Sequence, residues 1–355
     1  MGLVQPLIIS HVELEPFHIP FKKPFMFGGS IVTERVGFYL TLASGSVSAK
    51  GEASPLPGLS AESIRKAQHD LEEIKTLLIN LKIPAERKEL LKFLRENTLI
   101  TSLCASARFA VESAICSLAA LNAGQSLSEF LNSDLQDVSS SALLQGTYDQ
   151  VMADARLLVA NGVDIFKLKV GDRNIPLDVK KVNDLRSLIG EDGLLRLDGN
   201  RVWSLKEALL FIELAGIKQI EYIEEPLSDI SQLGEFYNQT HIPVGLDETL
   251  SLSRCGITAP GRCSPTLAQH EAVQAYVLKP TILGGITPTL DWIEEARSTG
   301  RKAIISSCFE SSVGIKILAN LSLLTGHVPG LGTTRWLDTA DLVNAQGFIP
   351  HQQLS

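Results

Sequence analysis

The sequence predicts an α/β protein in which a TIM-like (β/α)7β barrel follows an N-terminal α+β capping domain. Strand patterns precede helix patterns in the first 125 residues, which is typical of an α+β domain. From about residue 140, short apolar runs and helical patterns alternate at regular spacing, as in a barrel. With 355 residues the chain is long enough for both parts. A doubly wound parallel sheet is the alternative to the barrel.

The capping domain is expected to span residues 1–125, with its boundary near residues 122–124. Extended apolar stretches at residues 6–19, 36–42 and 46–49 predict its strands. Residues 21–30 are rich in aromatic side chains and carry two adjacent glycines near their end. A mobile flap over a site and an ordinary hairpin connection both fit that segment.

Two helices are expected after these strands. Ser60 is the predicted N-cap of the first helix, in which apolar residues recur from Ile64 to Leu78 at helical spacing. The second helix is rich in alanine between Ala105 and Leu118. Such small side chains indicate close packing against a neighbouring element.

The barrel is expected to span residues 126–335, and residues 336–355 are expected to pack back on the capping domain. Ser204 and Glu207 have the spacing of a capping box, and Gly216 is placed to end that helix. A last turn near Leu331 completes the barrel, and residues 251–265 predict a long loop. The seven predicted barrel strands are residues 142–145, 165–169, 194–197, 221–223, 244–246, 275–278 and 302–305.

Another barrel helix has Pro288 in its first turn and runs to Gly300.

One predicted barrel strand carries two lysines at alternate positions. Side chains of a strand alternate between faces, so Lys167 and Lys169 share one face while Phe166 and Leu168 share the other. A strand this apolar is expected to be buried, and a buried ammonium is costly unless it has partners. The remaining strands must therefore supply those partners.

Polar residues end six successive predicted strands, each about one strand and one helix after the last. Any one of them alone is more often a cap or a turn residue than a ligand. Three converging carboxylates need a cation between them, and an all-oxygen set suits Mg²⁺ or Mn²⁺. Zinc is disfavoured because no His or Cys joins the ring. The six residues are Lys169, Asp198, Glu224, Asp247, Lys279 and Ser306.

Lys169 and Lys279 are expected on opposite sides of this cation. The cation would lower the pKa of both lysines, and Lys167 would lower that of Lys169 further. Neutral Lys169 could then take the α-proton of a metal-bound carboxylate, because the ion stabilises the enediolate that forms. A lysine base combined with Mg²⁺ and an enediolate is the established chemistry of the enolase superfamily.

The sequence resembles the muconate-lactonising-enzyme subgroup of the enolase superfamily over nearly its whole length. The motifs Lys-x-Lys, Asp-x-Asn, Glu-x-Pro, Asp-Glu and Lys-Pro match that subgroup in order. Within the subgroup the sequence is most similar to the o-succinylbenzoate synthases. That closer resemblance lies in residues 51–58, 196–203, 304–314 and 329–333.

The resemblance implies dehydration of 2-succinyl-6-hydroxy-2,4-cyclohexadiene-1-carboxylate to 2-succinylbenzoate, a step of menaquinone biosynthesis. Lys169 would abstract the proton and return it to the departing hydroxyl, assisted by Lys167, and Lys279 would stay protonated beside the enediolate. The implied metal ligands are Asp198, Glu224 and Asp247. The candidate substrate-binding residues are Ser306, Gly330, Glu310 and Arg196.

Two other functions remain open at this stage. A racemase or epimerase of N-acylamino acids or dipeptides, or a cycloisomerase, would use the same scaffold with two opposed lysines. Dipeptide epimerases usually carry Asp-x-Asp after the last strand, and residues 330–333 lack it. A barrel kept as a non-enzymatic scaffold would be stable without metal and would show no turnover.

Composition limits the partners and the compartment. The net charge of −8 argues against nucleic acid and anionic membranes as partners. The partner implied by the chemistry of the ring is a small-molecule carboxylate substrate. No apolar run approaches the roughly 20 residues of a membrane span, and no signal-peptide pattern opens the chain, so we expect a cytoplasmic protein. The five cysteines are scattered without a C-x-x-C pair, which predicts neither disulfides nor zinc. No pattern specifies an oligomeric state.

Overall fold

The computed structural model describes residues 5–27, 30–134, 138–171, 174–252, 265–268, 270–338 and 348–349. Its largest sheets are a three-stranded antiparallel sheet in the N-terminal domain and a curled sheet of seven parallel strands. The predicted combination of a TIM-like barrel with an N-terminal domain is confirmed.

The N-terminal domain contains the three predicted strands, all longer than expected. β2, β3 and β4 form the antiparallel sheet, and β1 pairs with β5. The elements are β1 (Leu7–Ile8), β2 (His11–Phe27), β3 (Ser30–Ser44), β4 (Val47–Ala53), α1 (Ile64–Leu78), β5 (Lys82–Ile83), α2 (Arg87–Glu96), α3 (Thr98–Thr101), α4 (Ala105–Asn122) and α5 (Leu127–Phe130).

Segment 21–30 belongs to a β-hairpin. β2 and β3 pair from His11 opposite Ala43 to Phe27 opposite Ser30. The hairpin interpretation therefore agrees with the backbone on both sides of the turn, while residues 28–29 lie outside the described part of the chain.

Helix α1 begins later than predicted. Its N-cap is Ser63, whose Oγ accepts a hydrogen bond from Lys66 N at 3.2 Å. Ser60 was the wrong choice, because its Oγ accepts a hydrogen bond from Leu56 N at 2.9 Å and so holds the preceding turn. The predicted apolar stripe is correct, and its buried members are Ala67, Leu71, Ile74 and Leu78.

Helix α4 packs closely against the sheet, as its alanines predict. Ala107, Ala110 and Ala114 are fully buried, and α4 lies on β4. At the closest approach a Cβ on Gly51 would stand 2.0 Å from the carbonyl oxygen of Ala110. Gly51 therefore sets the distance between this helix and the sheet.

All seven predicted barrel strands are present, with ends within two residues of the expected ones. The capping box of Ser204 with Glu207 and the helix end at Gly216 are confirmed, and Pro288 lies in the first turn of α13. The elements are β6 (Val138–Ser139), β7 (Ala142–Leu144), α6 (Tyr148–Ala160), β8 (Ile165–Lys169), α7 (Ile175–Ile189), β9 (Leu194–Asp198), α8 (Leu205–Ala215), β10 (Ile220–Glu224), α9 (Leu233–Thr240), β11 (Val244–Leu246), α10 (Glu248–Leu252), α11 (Pro265–Ala268), β12 (Val273–Leu278), α12 (Pro280–Leu283), α13 (Ile286–Ser298), β13 (Lys302–Ile305), α14 (Ser312–Ser322) and β14 (Phe348–Ile349).

The parallel sheet runs in sequence order from β7 to β13. A short segment around Gly330 joins its two edges. At one edge, Gly330 N donates to the carbonyl oxygen of Ile305, the last residue of β13, at 2.8 Å. At the other edge, Ser141 N, just before β7, donates to Pro329 O at 2.9 Å. The eighth position of the barrel is thus filled by a single bridge, Ser306 to Gly330, where the other positions have strands.

The described C-terminal residues contact both parts of the protein. Leu337 bridges to Phe21 of β2, and Asp338 N donates to Pro20 O at 2.9 Å. β14 pairs with β6. Residues 339–347 and 350–355, and residues 253–264 of the predicted long loop, lie outside the described part of the chain. Among the described helices, none combines the length and apolarity that crossing a membrane requires.

The contact at Gly51 can be tested by Gly51→Ala. The added methyl must push α4 away from β4, so we expect the free energy of unfolding to fall by about 1–3 kcal/mol. Urea titration followed by circular dichroism measures it. Ser48→Ala, at an exposed position of the same strand, is the control. Equal stabilities of the two variants would show that α4 can move without cost.

Candidate active site

The carboxyl ends of the parallel strands gather the predicted polar ring. Lys169 is in register with Asp198, and Asp198 with Glu224, on three neighbouring strands. Asp247, Lys279 and Ser306 directly follow β11, β12 and β13. Since parallel strands end at one edge of a sheet, all six side chains belong to the same rim of the barrel.

The two lysines of β8 share a buried partner. Phe166 and Leu168 are fully buried on the opposite face, whereas the Lys167 and Lys169 side chains are 14% and 26% exposed. The Nζ atoms of both lysines lie within 3 Å of Asp198 Oδ2, at 2.9 Å for Lys167 and 2.7 Å for Lys169. The prediction that Lys167 and Lys169 share one face of the strand, and Phe166 and Leu168 the other, is confirmed.

The remaining contacts complete a chain of ion pairs across the rim. Lys167 Nζ also lies 2.6 Å from Glu224 Oε1, and Lys279 is paired with Asp247. β8 and β12 are separated by three strands, so Lys169 and Lys279 approach from opposite sides. Three lysines and three carboxylates thus meet at one rim, with the carboxylates at the ends of the three strands between β8 and β12.

The carboxylates differ in how well their charge is compensated. Burial raises their pKa values, but for Asp198 the two ammoniums of Lys167 and Lys169 outweigh it, so the pKa lies below the ordinary value. At Asp247, burial likewise raises the pKa, but the ammonium of Lys279 outweighs it and the pKa lies below the ordinary value. The pKa of Glu224 is raised well above its ordinary range by burial and by neighbouring Asp198. Among the three carboxylates, Glu224 is therefore the one whose charge is least well compensated.

The neighbouring carboxylates set the pKa values of two lysines of the ring. Burial alone would lower the pKa of Lys167 and of Lys279. Asp198 and Glu224 outweigh burial at Lys167, and Asp247 does so at Lys279, so both pKa values are raised. The expected lowering of the Lys169 and Lys279 pKa values applies to the cation-bound ring and stays a prediction.

The donor set suits a hard divalent cation. It offers three carboxylates, and Asp247 Oδ1 is buried without a hydrogen-bond partner. In the arrangement of the described residues, each carboxylate is engaged by a lysine, and no three acidic, His or Cys side chains are arranged to hold an ion. An incoming cation must therefore displace ammonium groups from these oxygens.

Residues that the sequence analysis passed over hold this ring in place. Asn200 accepts a hydrogen bond from Lys169 Nζ at 2.6 Å and donates to Glu248 Oε1 at 3.0 Å. Glu225 Oε1 accepts from the backbone N–H groups of Asp247 and Thr249, each at 2.8 Å. Burial raises the pKa of Glu225 to about 7. Asn200 lies two residues after Asp198, Glu225 directly follows Glu224, and Glu248 directly follows Asp247. That closeness to the predicted metal ligands is the signal that could have identified them.

A cavity opens above the ring. Its lining includes Lys167, Lys169 and Lys279, and also Ser306 and Gly330 as predicted. The N-terminal domain contributes Leu56 and Leu59 to the apolar part of the lining. The barrel contributes Leu143 and Phe309 to it.

The structure does not bring Arg196 and Glu310 to this cavity. Arg196 lies one layer below Asp198, where its Nε is 2.6 Å from Glu221 Oε2 and its Nη1 donates to Val328 O at 2.7 Å. Glu310 is fully buried and accepts a hydrogen bond from Thr281 Oγ1 at 2.6 Å. Both are engaged by protein groups, so their positions do not favour direct substrate binding.

Comparison with known sequences agrees with this arrangement. A family model described as enolase C-terminal domain-like matches residues 150–352, and one described as MenC, N-terminal domain, matches residues 9–89. The o-succinylbenzoate synthase of Aliivibrio fischeri is 29% identical over 339 residues, which cover 94% of this chain and 91% of that protein. Protein PHYLLO, chloroplastic, of Arabidopsis thaliana is 29% identical over 352 residues, which cover 89% of this chain but 20% of that protein.

Comparison with solved structures shows the same fold. The dipeptide epimerase of Enterococcus faecalis, solved in complex with Mg and the dipeptide L-Leu-L-Tyr, has a TM-score of 0.83. The two sequences are 21% identical, and the match covers 97% of each chain. At this identity the likeness describes architecture alone.

The shared role of Asp198 can be tested by Asp198→Asn. Two buried ammoniums would lose their common partner, so we expect the free energy of unfolding to fall by about 3–5 kcal/mol at pH 7. A folded-state pKa below the ordinary 3.8 means that this carboxylate stabilises the protein above that pH, and that the contribution is lost as the pH falls through the folded-state pKa.

Urea titrations of wild type and variant at several pH values provide the measurement. The difference in unfolding free energy should shrink towards acid pH. Asp192→Asn, at an exposed position, is the control and should change stability by less than about 0.5 kcal/mol. A difference that does not vary with pH would contradict the electrostatic assignment.

Proposed function

The chain belongs to the enolase superfamily, and on that premise we propose that it is a Mg²⁺-dependent dehydratase that forms 2-succinylbenzoate from 2-succinyl-6-hydroxy-2,4-cyclohexadiene-1-carboxylate. One observation carries the proposal: Lys169 and Lys279 face one cavity from opposite sides, next to three clustered carboxylates. This arrangement suits removal of a proton α to a carboxylate. The curated relatives named o-succinylbenzoate synthase, and the MenC match in the N-terminal domain, support the choice of substrate.

We assign the metal to Asp198, Glu224 and Asp247. Bound there, Mg²⁺ would stabilise negative charge that develops on the substrate carboxylate. Three carboxylate oxygen donors match the preference of Mg²⁺. The raised pKa of Glu224 and the unpartnered Oδ1 of Asp247 both indicate a place for added positive charge.

The lysines would carry out the proton transfers. Lys169, in its neutral form, takes the proton from the ring carbon next to the carboxylate, and the electrons of that C–H bond form the enediolate. The C–O bond to the hydroxyl then breaks, the ring double bond forms, and Lys169 returns its proton to the hydroxyl, which leaves as water. Lys279 remains protonated and faces the negative charge of the intermediate.

The lining of the cavity fits an anionic substrate with an apolar body. Three lysines line it, and the acidic side chain among the described lining residues is Glu248. The ammonium groups among the lining residues offer partners to a substrate carboxylate. The apolar wall that includes Leu56, Leu59 and Phe309 offers contact for a carbon ring.

A racemase or epimerase is the second candidate. Two opposed lysines, one on each face of a carbon, are what such a reaction needs. A dipeptide substrate also carries an ammonium group, for which the resemblance predicts an Asp-x-Asp after the last strand. Gly330 and Gly332 line the cavity at that place without a carboxylate, which favours the dehydratase.

A direct assay of the purified protein distinguishes the candidates. The cyclohexadiene substrate is compared with N-succinyl amino acids and dipeptides, each with and without EDTA. We expect dehydration of the cyclohexadiene that EDTA abolishes and Mg²⁺ restores. Turnover of the amino-acid derivatives alone would contradict the dehydratase, and activity unaffected by EDTA would contradict the metal.

Lys169→Ala tests the assigned base. We expect kcat to fall by about 10²–10⁴-fold, because the proton acceptor is lost, while Mg²⁺ affinity and the circular dichroism spectrum are kept. Stopped assays of 2-succinylbenzoate formation provide the measurement. Lys218→Ala is the control, since that side chain is 69% exposed. Turnover close to the wild-type rate would exclude Lys169 as the base.

Asp247→Asn tests the assigned metal site. Loss of one anionic ligand should weaken Mg²⁺ binding by at least about 10–100-fold. Isothermal titration calorimetry with Mg²⁺ measures the Kd without substrate. Glu191→Gln, at a side chain that is 92% exposed, is the matched control. An unchanged Mg²⁺ titration would remove Asp247 from the ligand set.

A further inference from the structure

The turn after β13 forms part of the cavity wall in a conformation that needs support. Ser307, Cys308 and Phe309 line the cavity. Phe309 has a φ of +60°, in the left-handed region that bulky residues rarely adopt. Such a conformation persists only where surrounding contacts impose it. Barrel residues supply some of those contacts, and Arg35 and Glu52 of the N-terminal domain supply others.

Arg35 of β3 uses its whole guanidinium group to join this turn to residues 54–55 of the N-terminal domain. Its side chain is buried, and its Nε donates to the carbonyl oxygen of Phe309 at 3.1 Å. Its Nη1 donates to Pro55 O at 3.2 Å, and its Nη2 donates to Ser54 O. The planar fork therefore joins the strained turn to the segment that leads into Leu56, another lining residue. A lysine has one ammonium and cannot reproduce this geometry.

Glu52 of β4 binds the other end of the same turn. Its Oε1 accepts a hydrogen bond from Ser311 N at 3.0 Å, and its Oε2 accepts from Ser311 Oγ at 2.5 Å and from Gly314 N at 2.8 Å. Ser311 is the N-cap of α14, so Glu52 closes the first turn of that helix. Gly314 is required at this contact, because a Cβ there would lie 2.8 Å from Glu52 Oε2.

We propose that Arg35 and Glu52 are positioning residues that hold the turn at residues 307–311 in its strained conformation and thereby set one wall of the cavity. Neither touches the metal-ligand ring. They act through Phe309 and Ser311, which they bind from opposite ends of the turn. The N-terminal domain thus shapes the cavity from behind its lining as well as through the lining residues it contributes.

Glu112 of α4 provides a matched control. It is fully buried like Glu52, and it binds the first turn of a barrel helix, α13, by accepting from Thr287 N at 2.7 Å. It is not among the residues that line the cavity or contact the 307–311 turn. A purely structural role in joining the two domains should therefore be shared by Glu112 and Glu52, whereas control of the turn should belong to Glu52.

Alkylation of Cys308 measures the turn directly and needs no turnover. The Cys308 thiol is 1% exposed within the turn, and Cys116, fully buried in α4, reports on opening of the N-terminal domain. Arg35→Lys, Arg35→Gln, Glu52→Gln and Glu112→Gln are treated with iodoacetamide, and both sites are followed by peptide mass spectrometry. We expect alkylation of Cys308 to accelerate about tenfold in the Arg35 and Glu52 variants with Cys116 unchanged, since a charged buried hydrogen bond is lost.

Three results would overturn the proposal. Equal acceleration at Cys308 and Cys116 would reduce both residues to a general docking role. An Arg35→Lys variant with wild-type protection of Cys308 would show that charge alone is sufficient. Selective exposure of Cys308 in Glu112→Gln would remove the distinction on which the proposal depends. If Arg35→Gln does not yield folded protein, Arg35→Lys and Glu52→Gln carry the test, and the same selective exposure of Cys308 is expected.

A kinetic experiment adds a second readout, and it alone rests on the proposed function. In Arg35→Lys we expect KM for the cyclohexadiene substrate to rise about tenfold with kcat less affected, because the wall of the site moves and the lysines stay. In Glu112→Gln both constants should stay near the wild-type values. A fall in kcat alone would contradict a positioning role. Absence of turnover in the wild type would refute the dehydratase and leave the alkylation result to decide this proposal.

Discussion

Compensation of buried charge at the carboxyl edge of the barrel is the constraint on which the rest of this structure depends. Burying one carboxylate or one ammonium without a partner is costly, and removing either member of a buried pair exposes that cost. The strands meet the requirement by placing lysines on β8 and after β12, on both sides of the carboxylates at the ends of β9, β10 and β11. Asp198 satisfies two lysines, Asp247 satisfies one, and Glu224 remains only partly compensated. The balance is therefore uneven, and the proposed metal would compensate the charge that the lysines leave.

The N-terminal domain is tied to the barrel by the same kind of interaction. Glu52 and Glu112 each bring a buried carboxylate to the first turn of a barrel helix. Helix N-termini favour negative charge because their first N–H groups lack intrahelical partners. Arg35 supplies the complementary donors to carbonyl oxygens on both sides of the junction. The two domains therefore share polar contacts that neither could satisfy alone.

Much of the fold and of the polar ring could be predicted from the sequence, because both depend on short-range periodicity. Alternation fixed the faces of Lys167 and Lys169, and the regular spacing of strand ends located Asp198, Glu224 and Asp247. The depth at which a side chain lies along the barrel axis leaves no such periodic signal in the sequence. Arg196 shares a face with Asp198 but lies a layer lower, where it binds Glu221.

The other errors have equally specific causes. Glu310 follows the left-handed residue Phe309, which redirects the chain away from the cavity. Ser60 and Ser63 are both good capping residues, and only the folded turn decides which of them meets a free N–H group.

The way the barrel closes has a consequence for substitutions in the walls of the cavity. The lysines and carboxylates sit on an arc of five consecutive strands, β8 to β12, whose ladder is continuous. The walls of the cavity come from elsewhere, namely the N-terminal domain, the turn after β13 and the short segment around Gly330. Substitutions in those walls leave the hydrogen bonds between strands β8 to β12 unchanged. Substitutions in the walls can therefore change the shape of the cavity while the lysines and carboxylates keep their places on the arc.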